Sequence, residues 1–148
     1  MDELLQVIKT TMLNGKSSLT EEFFNAVLQR LVSLGYTLKE NDDWILCFAM
    51  QNVENHIKNS CNITSIPEGL FHVAVDMVCG EFLSTKKQTG QLDIGNLDLN
   101  GVITSISEGD TSIQFAQGAS DEERFNQLLN HLIHKGEGEF VCYRKIKW

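Results

Sequence analysis

The sequence has a single proline and lacks the closely spaced cysteine pairs that mark many metal and redox sites. Pro67 is the only proline among 148 residues, and none of the four cysteines forms a C-x-x-C pair with another. The chain also opens without a secretory leader pattern. We therefore expect reduced thiols in a cytoplasmic product, with a disulfide as the less favoured alternative. The cysteines are Cys47, Cys61, Cys79 and Cys142.

Long hydrophobic runs and an excess of basic charge are also missing. Without a long apolar run, we expect no membrane-spanning segment and no membrane partner. The net charge is −8, from 20 acidic and 12 basic side chains, which argues against a domain that reads nucleic-acid sequence. Residues 139–148 nevertheless carry +2, so residues 1–138 carry −10. A basic end on an acidic body favours docking between copies or against a similar partner.

The apolar residues that are present predict a helical domain. They make up 42% of a chain whose length suits one domain, which we assign to residues 1–148. A first short helix ends at Asn14-Gly15. A capping-box pattern at Ser18 and Glu21 opens a second helix, which Gly35 closes. The expected core stripe of that helix is Phe24, Val27, Leu28, Leu31 and Leu34.

Three further helices are predicted downstream. Pro67 lies where the fourth would begin, and that helix is apolar nearly all round, so we expect it to be the most buried. Ser120 and Glu123 form a capping box for the last helix, and Gly136 is its expected cap. The expected stripe of the third helix is Ile45, Phe48, Ala49, Val53 and Ile57. That of the last is Phe125, Leu128, Leu129, Leu132 and Ile133.

Between the last two helices the pattern changes to strict alternation. Residues 102–106 and 111–115 alternate apolar and polar side chains around a turn at 107–110, which predicts a β-hairpin. An isolated hairpin is marginal in water, so we expect it to lean on another surface. Its candidate interface residues are Ile106, Glu108, Gly109, Asp110, Thr111, Ile113 and Phe115. The predicted fold is mainly α, a small bundle of four to five helices with one β-hairpin and a C-terminal arm at 138–148.

The arm ends in "CYRKIKW", which combines apolar rings with cations. Ordering a chain end costs about 1–2 kcal/mol per residue, so such a tail is either packed on its own domain or used for a partner. Tyrosine, tryptophan and arginine dominate binding energy at interfaces, which favours the partner interpretation. The candidate interface residues are Tyr143, Arg144, Lys145, Ile146, Lys147 and Trp148.

Candidate chemistry is sparse, and each candidate has a structural alternative. His131 and His134 could face one metal, but without a third ligand we favour polar residues near a helix C-terminus. His72 and Asp76 could be a base and its orienting carboxylate, and a simple hydrogen-bonded pair is favoured. Cys79 lies in a core-like context. We therefore expect no catalytic, metal-binding or cofactor-binding residue, and no enzyme.

Several pieces together resemble a known family. "IKNSCN", "IPEGL", "VAVDMV", "GQL", "SISEGDTSIQF" and "YRKIKW" occur in an order and spacing similar to those of the head–tail connector (adaptor) proteins of tailed bacteriophages and prophages. The resemblance runs from about Asp42 to Trp148.

The resemblance implies a structural virion protein with no catalytic residue and no cofactor. Such subunits assemble in the host bacterial cytoplasm into a ring, usually twelve-fold, under the portal protein in the neck of the virion. The implied partners are the portal, copies of itself, a downstream neck or tail-terminator protein, and double-stranded DNA that passes without specific binding. Two alternatives stay open. One is another neck or tail-completion subunit of a phage or phage-tail-like particle. The other is a small cytoplasmic helical binding or regulatory module.

Overall fold

A computed structural model of the chain describes residues 2–14, 17–92 and 120–145, and these ranges are mainly helical. The α-helices within them are α1 (Asp2–Asn14), α2 (Glu21–Ser33), α3 (Asp43–Cys61), α4 (Phe71–Gln88) and α5 (Asp121–His134). They are accompanied by 3₁₀ helices at Glu40–Asp42, Glu68–Leu70 and Lys135–Tyr143. The described ranges contain no strand, and the predicted β-hairpin lies outside them. The prediction of a mainly α fold is confirmed.

Helix α4 lies at the centre of the bundle, as its apolar sequence predicts. It packs against α2, α3 and α5, while α1 packs against α2 and α3. Gly80 of α4 is buried, and a Cβ atom there would crowd Leu132 and Ile133 of α5, so glycine permits close packing of the two helices. Burying one large aliphatic or aromatic side chain contributes about 1.5–3 kcal/mol, so this core is the main source of stability. The buried α4 residues are Ala74, Val75, Met77, Val78, Cys79, Gly80, Phe82, Leu83 and Lys86.

The helix starts follow the predicted caps in one case and depart from them in another. Ser120 caps α5, with its hydroxyl accepting the Glu123 N–H at 3.2 Å, as predicted. The predicted cap of α2 is wrong, because Thr20 caps that helix and its hydroxyl accepts the Phe23 N–H. Ser18 instead donates its hydroxyl (2.6 Å) and backbone N–H (2.9 Å) to the Glu54 carboxylate of α3.

The helix ends show a similar division. Gly35 adopts a φ of 90°, a left-handed conformation that suits glycine, and terminates α2 as predicted. The prediction that Gly136 caps the last helix is wrong. Gly136 is buried inside the 3₁₀ helix that continues from α5, and Val73 of α4 fills the space that a side chain would need. Glycine here allows close packing between two elements.

The buried face of α3 is rotated from the predicted stripe. That stripe places Phe48 in the core, but its side chain is 52% exposed, and Ile45 is only half-buried. The buried positions are Leu46, Cys47, Ala49, Met50, Val53, Glu54, Ile57 and Cys61. The reason is that α3 lies between α1 and α4, so its apolar sector is wide and contacts both neighbours.

A fully buried ion pair joins the start of α3 to the end of α4. Lys86 Nζ lies 2.8 Å from Asp42 Oδ1, and the two side chains are 1% and 0% exposed. The other Asp42 oxygen accepts the Tyr36 hydroxyl at 2.8 Å and the Lys39 N–H at 2.9 Å. Lys86 also donates to Gln91 Oε1 at 2.9 Å. Burial, with the hydrogen bond to Asp42 and its charge, raises the pKa of Tyr36 well above its usual value.

A second buried carboxylate, Glu54, holds the α1–α2 connection against α3. It accepts hydrogen bonds from Ser17 and Ser18, and Lys58 one turn later lies 3.4 Å away. Burial alone would raise the pKa of Glu54. The Ser18 and Ser17 hydrogen bonds and the Lys58 charge outweigh burial and leave the pKa below its usual value.

Candidate interaction site at the C-terminal end

The last described segment returns the chain to the C-terminal end of α3. In the 3₁₀ helix Lys135–Tyr143, Phe140 is buried, and its ring lies 5.9 Å from the His56 ring of α3. Its carbonyl accepts a weak hydrogen bond from the Cys61 thiol at 3.6 Å. Residues 135–143 therefore belong to the packed domain.

The next two residues pair with the backbone at the end of α3. The Lys145 N–H donates to the Cys61 carbonyl at 2.7 Å, and the Lys145 carbonyl accepts from the Asn62 side chain at 3.3 Å. Arg144 Nε donates to the Ser60 carbonyl at 3.2 Å. The last carbonyls of an α-helix lack helical partners and carry partial negative charge, so a guanidinium and an amide suit this position.

Tyr143 fixes the same segment to the start of α4. Its hydroxyl lies over Gly69, where a Cβ atom would overlap the phenol oxygen. Gly69 is part of the 3₁₀ helix Glu68–Leu70 that leads into α4. Glycine at this position therefore allows Tyr143 to bridge the end of α3 and the start of α4.

An open groove of about 480 Å³ runs beside these contacts. Ile63, Pro67 and Tyr143 supply its apolar wall, and the exposed Arg144 and Lys145 supply charge. We call these five residues the arm groove. Thr64, Ser65 and Cys142 complete its lining.

Three of the predicted arm residues lie together, and their contacts show where along the chain the arm could leave the bundle. Tyr143, Arg144 and Lys145 all lie on the domain's own surface, so the arm does not leave the bundle before residue 146. Arg144 and Lys145 stay on the domain because the carbonyls at the end of α3, which lack helical partners, accept their hydrogen bonds. The other predicted interface residues lie outside the described ranges: Ile146, Lys147 and Trp148 of the arm, and Ile106, Glu108, Gly109, Asp110, Thr111, Ile113 and Phe115 of the hairpin.

The core stripe predicted for the third helix did not identify an exposed pair of aromatic side chains at the N-terminal end of α3. Trp44 is 71% exposed and Phe48 is 52% exposed. Their rings stack with centroids 5.7 Å apart and an interplanar angle of 7°. We call Trp44 and Phe48 the aromatic pair. Their spacing of four residues puts them on one helix face. The same face carries Asn52 and Asn55 further along the helix, and these polar residues are the sequence signal that would have identified it as exposed.

The predicted pairing of His72 with Asp76 is wrong. Asp76 Oδ1 accepts from Arg30 Nε at 3.0 Å, which links α4 to α2. His72 is exposed and its ring meets the Phe71 ring edge-on at 5.4 Å. His72 and Asp76 therefore do not form an acid–base pair, because the Asp76 carboxylate is bound to Arg30.

His134 of the last helix lies beside a carboxylate that also approaches α3. His134 Nδ1 lies 3.3 Å from Glu137, whose other oxygen is 3.6 Å from His56 Nε2. His56, His134 and Glu137 border an open cavity of about 320 Å³ between α3, α4 and α5. In residues 2–14, 17–92 and 120–145, no group of three or more histidine, cysteine, aspartate or glutamate side chains is arranged to hold a metal ion.

All four cysteines carry free thiols, and three of them are buried. Burial raises the pKa of Cys79 far above its usual value. Burial and the nearby Asp43 charge raise the pKa of Cys47 to about 11. A protonated thiol in the core is a poor nucleophile. The exposed thiol is Cys142, beside the arm groove.

Comparison with protein-family models, with curated proteins and with solved structures gave no match. Within the part of the chain that the structure describes, no helix has the combination of length and apolar character that a membrane crossing requires.

Proposed function

We propose that this chain is a ring-forming head–tail connector subunit of a tailed bacteriophage or prophage. It docks under the portal protein, extends the DNA channel and provides the platform for the next neck or tail-terminator protein. It acts as a structural part of the virion neck, assembled in the host cytoplasm, and it catalyses no reaction and needs no cofactor.

One observation carries the proposal: three sequence pieces of the resemblance meet at one surface. "IKNSCN" forms the end of α3, "IPEGL" leads into α4, and "YRKIKW" begins at Tyr143. Lys145 is bonded to Cys61, and Tyr143 lies over Gly69. Pieces up to about 80 residues apart in sequence thus build one contact, which supports treating them as parts of one functional unit.

The anchored base of the arm explains how its last residues could serve a partner. Three backbone-directed hydrogen bonds and the Tyr143 contact hold residues 143–145 on the domain. The domain therefore fixes the position from which Ile146, Lys147 and Trp148 start. Fixing that position lowers the entropy that a partner must remove on binding. A portal that binds Trp148 as an anchor would gain most of its affinity there.

The acidic net charge supports a channel subunit that passes DNA without binding it. The net charge of −8 disfavours contact with phosphates.

The candidate catalytic groups support a structural role. The candidate acid–base pair and the buried thiols lack the arrangement that catalysis needs, since Arg30 holds Asp76 and burial raises the pKa of Cys79.

The decisive experiment compares an arm deletion with a control substitution in the phage that encodes the chain. Deleting Ile146 to Trp148 leaves the Tyr143, Arg144 and Lys145 contacts in place, so the subunit should keep its circular dichroism spectrum and melting temperature. Portal binding, measured by electron microscopy of the mixed proteins, should be lost, and filled heads and free tails should accumulate separately. Lys9→Ser, which removes a partly exposed cation paired with Glu21, is the control and should leave head–tail joining intact. Normal virions from the deletion variant would refute the proposal.

The aromatic pair favours one alternative, a small helical regulatory module that pairs through α3. Exposed stacked rings on a helix are a common docking feature. A stable dimer in sedimentation that does not bind portal would favour this module. Another neck or tail-completion subunit would instead be found in virions without portal contact.

A further inference from the structure

We propose that neighbouring copies of this chain associate head to tail, with the aromatic pair of one copy seated in the arm groove of the next. The inference deepens the proposed function and rests on it in taking the partner to be a second copy. The two surfaces themselves are read from the described residues alone.

The aromatic pair has the features of an interface anchor. Trp44 is 71% exposed and Phe48 52% exposed, and stacking holds the two rings nearly parallel. The stacking contact restricts the rotamers of both rings, which lowers the entropic cost of binding. The exposed Glu40 and the half-buried Asp43 lie just before the pair in sequence and give this end of α3 acidic charge.

The arm groove offers the complementary chemistry. Its volume of about 480 Å³ accommodates two aromatic side chains, and Ile63, Pro67 and Tyr143 line it with apolar surface. Arg144 and Lys145 are exposed at its side. Cations bind favourably over aromatic faces, and tryptophan is the best of these rings. The same two cations would face the acidic residues beside the aromatic pair, which favours the correct orientation of docking.

The two surfaces lie at opposite ends of α3, which permits a head-to-tail association. Trp44 is in the first turn of α3, and Ser60, which holds Arg144, is in the last. Sixteen residues of α-helix separate them by about 24 Å along the axis. A copy therefore presents one surface at each end. An antiparallel two-fold dimer that used both contacts would stop at two copies, so wild-type species larger than a dimer identify the head-to-tail arrangement. Such heterologous contacts close into rings or continue as filaments.

The test is a mixing experiment with two variants in analytical ultracentrifugation. Trp44→Ala with Phe48→Ala removes the aromatic pair and leaves the groove. Arg144→Glu with Lys145→Glu disables the groove and leaves the pair. Each variant alone should associate about tenfold or more weakly than the wild type, as expected for loss of an interface anchor. Their mixture should form a 1:1 dimer and nothing larger, because one intact pair and one intact groove remain. Val32→Ala, at an exposed position of α2, is the control and should associate like the wild type.

Three results would overturn the inference. Wild-type association of the groove variant alone would show that the aromatic pairs bind each other. Absence of a dimer in the mixture would show that the two surfaces do not meet. A lower melting temperature of the pair variant with unchanged association would show that the same chain covers the aromatic pair. Portal binding is measured separately, so that head-to-tail dimers without portal binding would support this inference while contradicting the connector role.

Discussion

Replacing Lys86 with methionine tests whether the buried ion pair is essential to the stability of the fold. The change removes the ammonium but leaves the Asp42 carboxylate, which is 0% exposed, inside the bundle. Removing one partner of a buried pair typically costs about 3–5 kcal/mol, because the remaining charge is uncompensated. The Tyr36 hydroxyl and the Lys39 N–H still donate to Asp42, so we expect the lower end, about 3 kcal/mol. Against a total of about 5–15 kcal/mol, this is a large fraction.

Urea denaturation followed by circular dichroism would measure this loss, and the melting temperature should fall by roughly 6–12 °C. Lys87→Met is the matched control, since the neighbouring lysine pairs with an exposed carboxylate, Glu122, at 3.2 Å and should cost about 1 kcal/mol or less. Adding Asp42→Asn to Lys86→Met should recover part of the loss, because the lone buried charge is then removed. If Lys86→Met cost no more than Lys87→Met, the reasoning about the buried pair would be refuted.

Three further predictions concern acid stability, thiol reactivity and close packing. Because the pKa of Glu54 is lowered in the folded chain, the free energy of unfolding should fall as pH drops from about 4.5 through that lowered pKa, and Glu54→Gln should flatten this part of the curve in acid titrations of stability. A thiol reagent should label Cys142 rapidly in the native protein and the three buried thiols only after unfolding, and rapid labelling of two or more would contradict the structure. Gly136→Ala should cost about 1–3 kcal/mol in denaturant unfolding because its Cβ would overlap Val73, whereas Gly138→Ala, which meets no neighbour, should cost less than about 1 kcal/mol.

The five α-helices of the described ranges and the central position of α4 could be predicted because apolar periodicity and caps are local signals. The stripe from Phe24 to Leu34 is buried throughout, and Ser120 caps its helix as expected. Each of these signals depends on residues three or four positions apart. Local physics therefore determines them before any tertiary contact forms.

The features that the sequence concealed all depend on partners far along the chain. Ser18 resembles a helix cap in sequence, but its hydroxyl donates to Glu54, 36 residues later in the chain. Lys86 lies in a run that suits an exposed helix end, but Asp42, 44 residues earlier, makes its burial possible. Phe48 fits a helical stripe, yet the packing of α1 and α4 decides which side of α3 faces the core.

The two interpretations of the C-terminal arm, packing on its own domain and binding a partner, can hold for different residues. Tyr143 packs on Gly69, and Lys145 pairs with Cys61, so this part of the tail is tied to the domain by contacts that a partner would have to break. Release would leave the last carbonyls of α3 without these donors, at a cost of about 0.5–1.5 kcal/mol for each hydrogen bond lost. A partner therefore gains more by binding the surface that the anchored residues create, or the residues beyond Lys145, than by pulling the segment away. Removing all six residues from Tyr143 would confuse the two roles, because it takes away domain contacts together with any partner contacts. The boundary after Lys145 keeps every domain contact described for the arm, and for this reason the deletion that begins at Ile146 tests partner binding with those contacts in place.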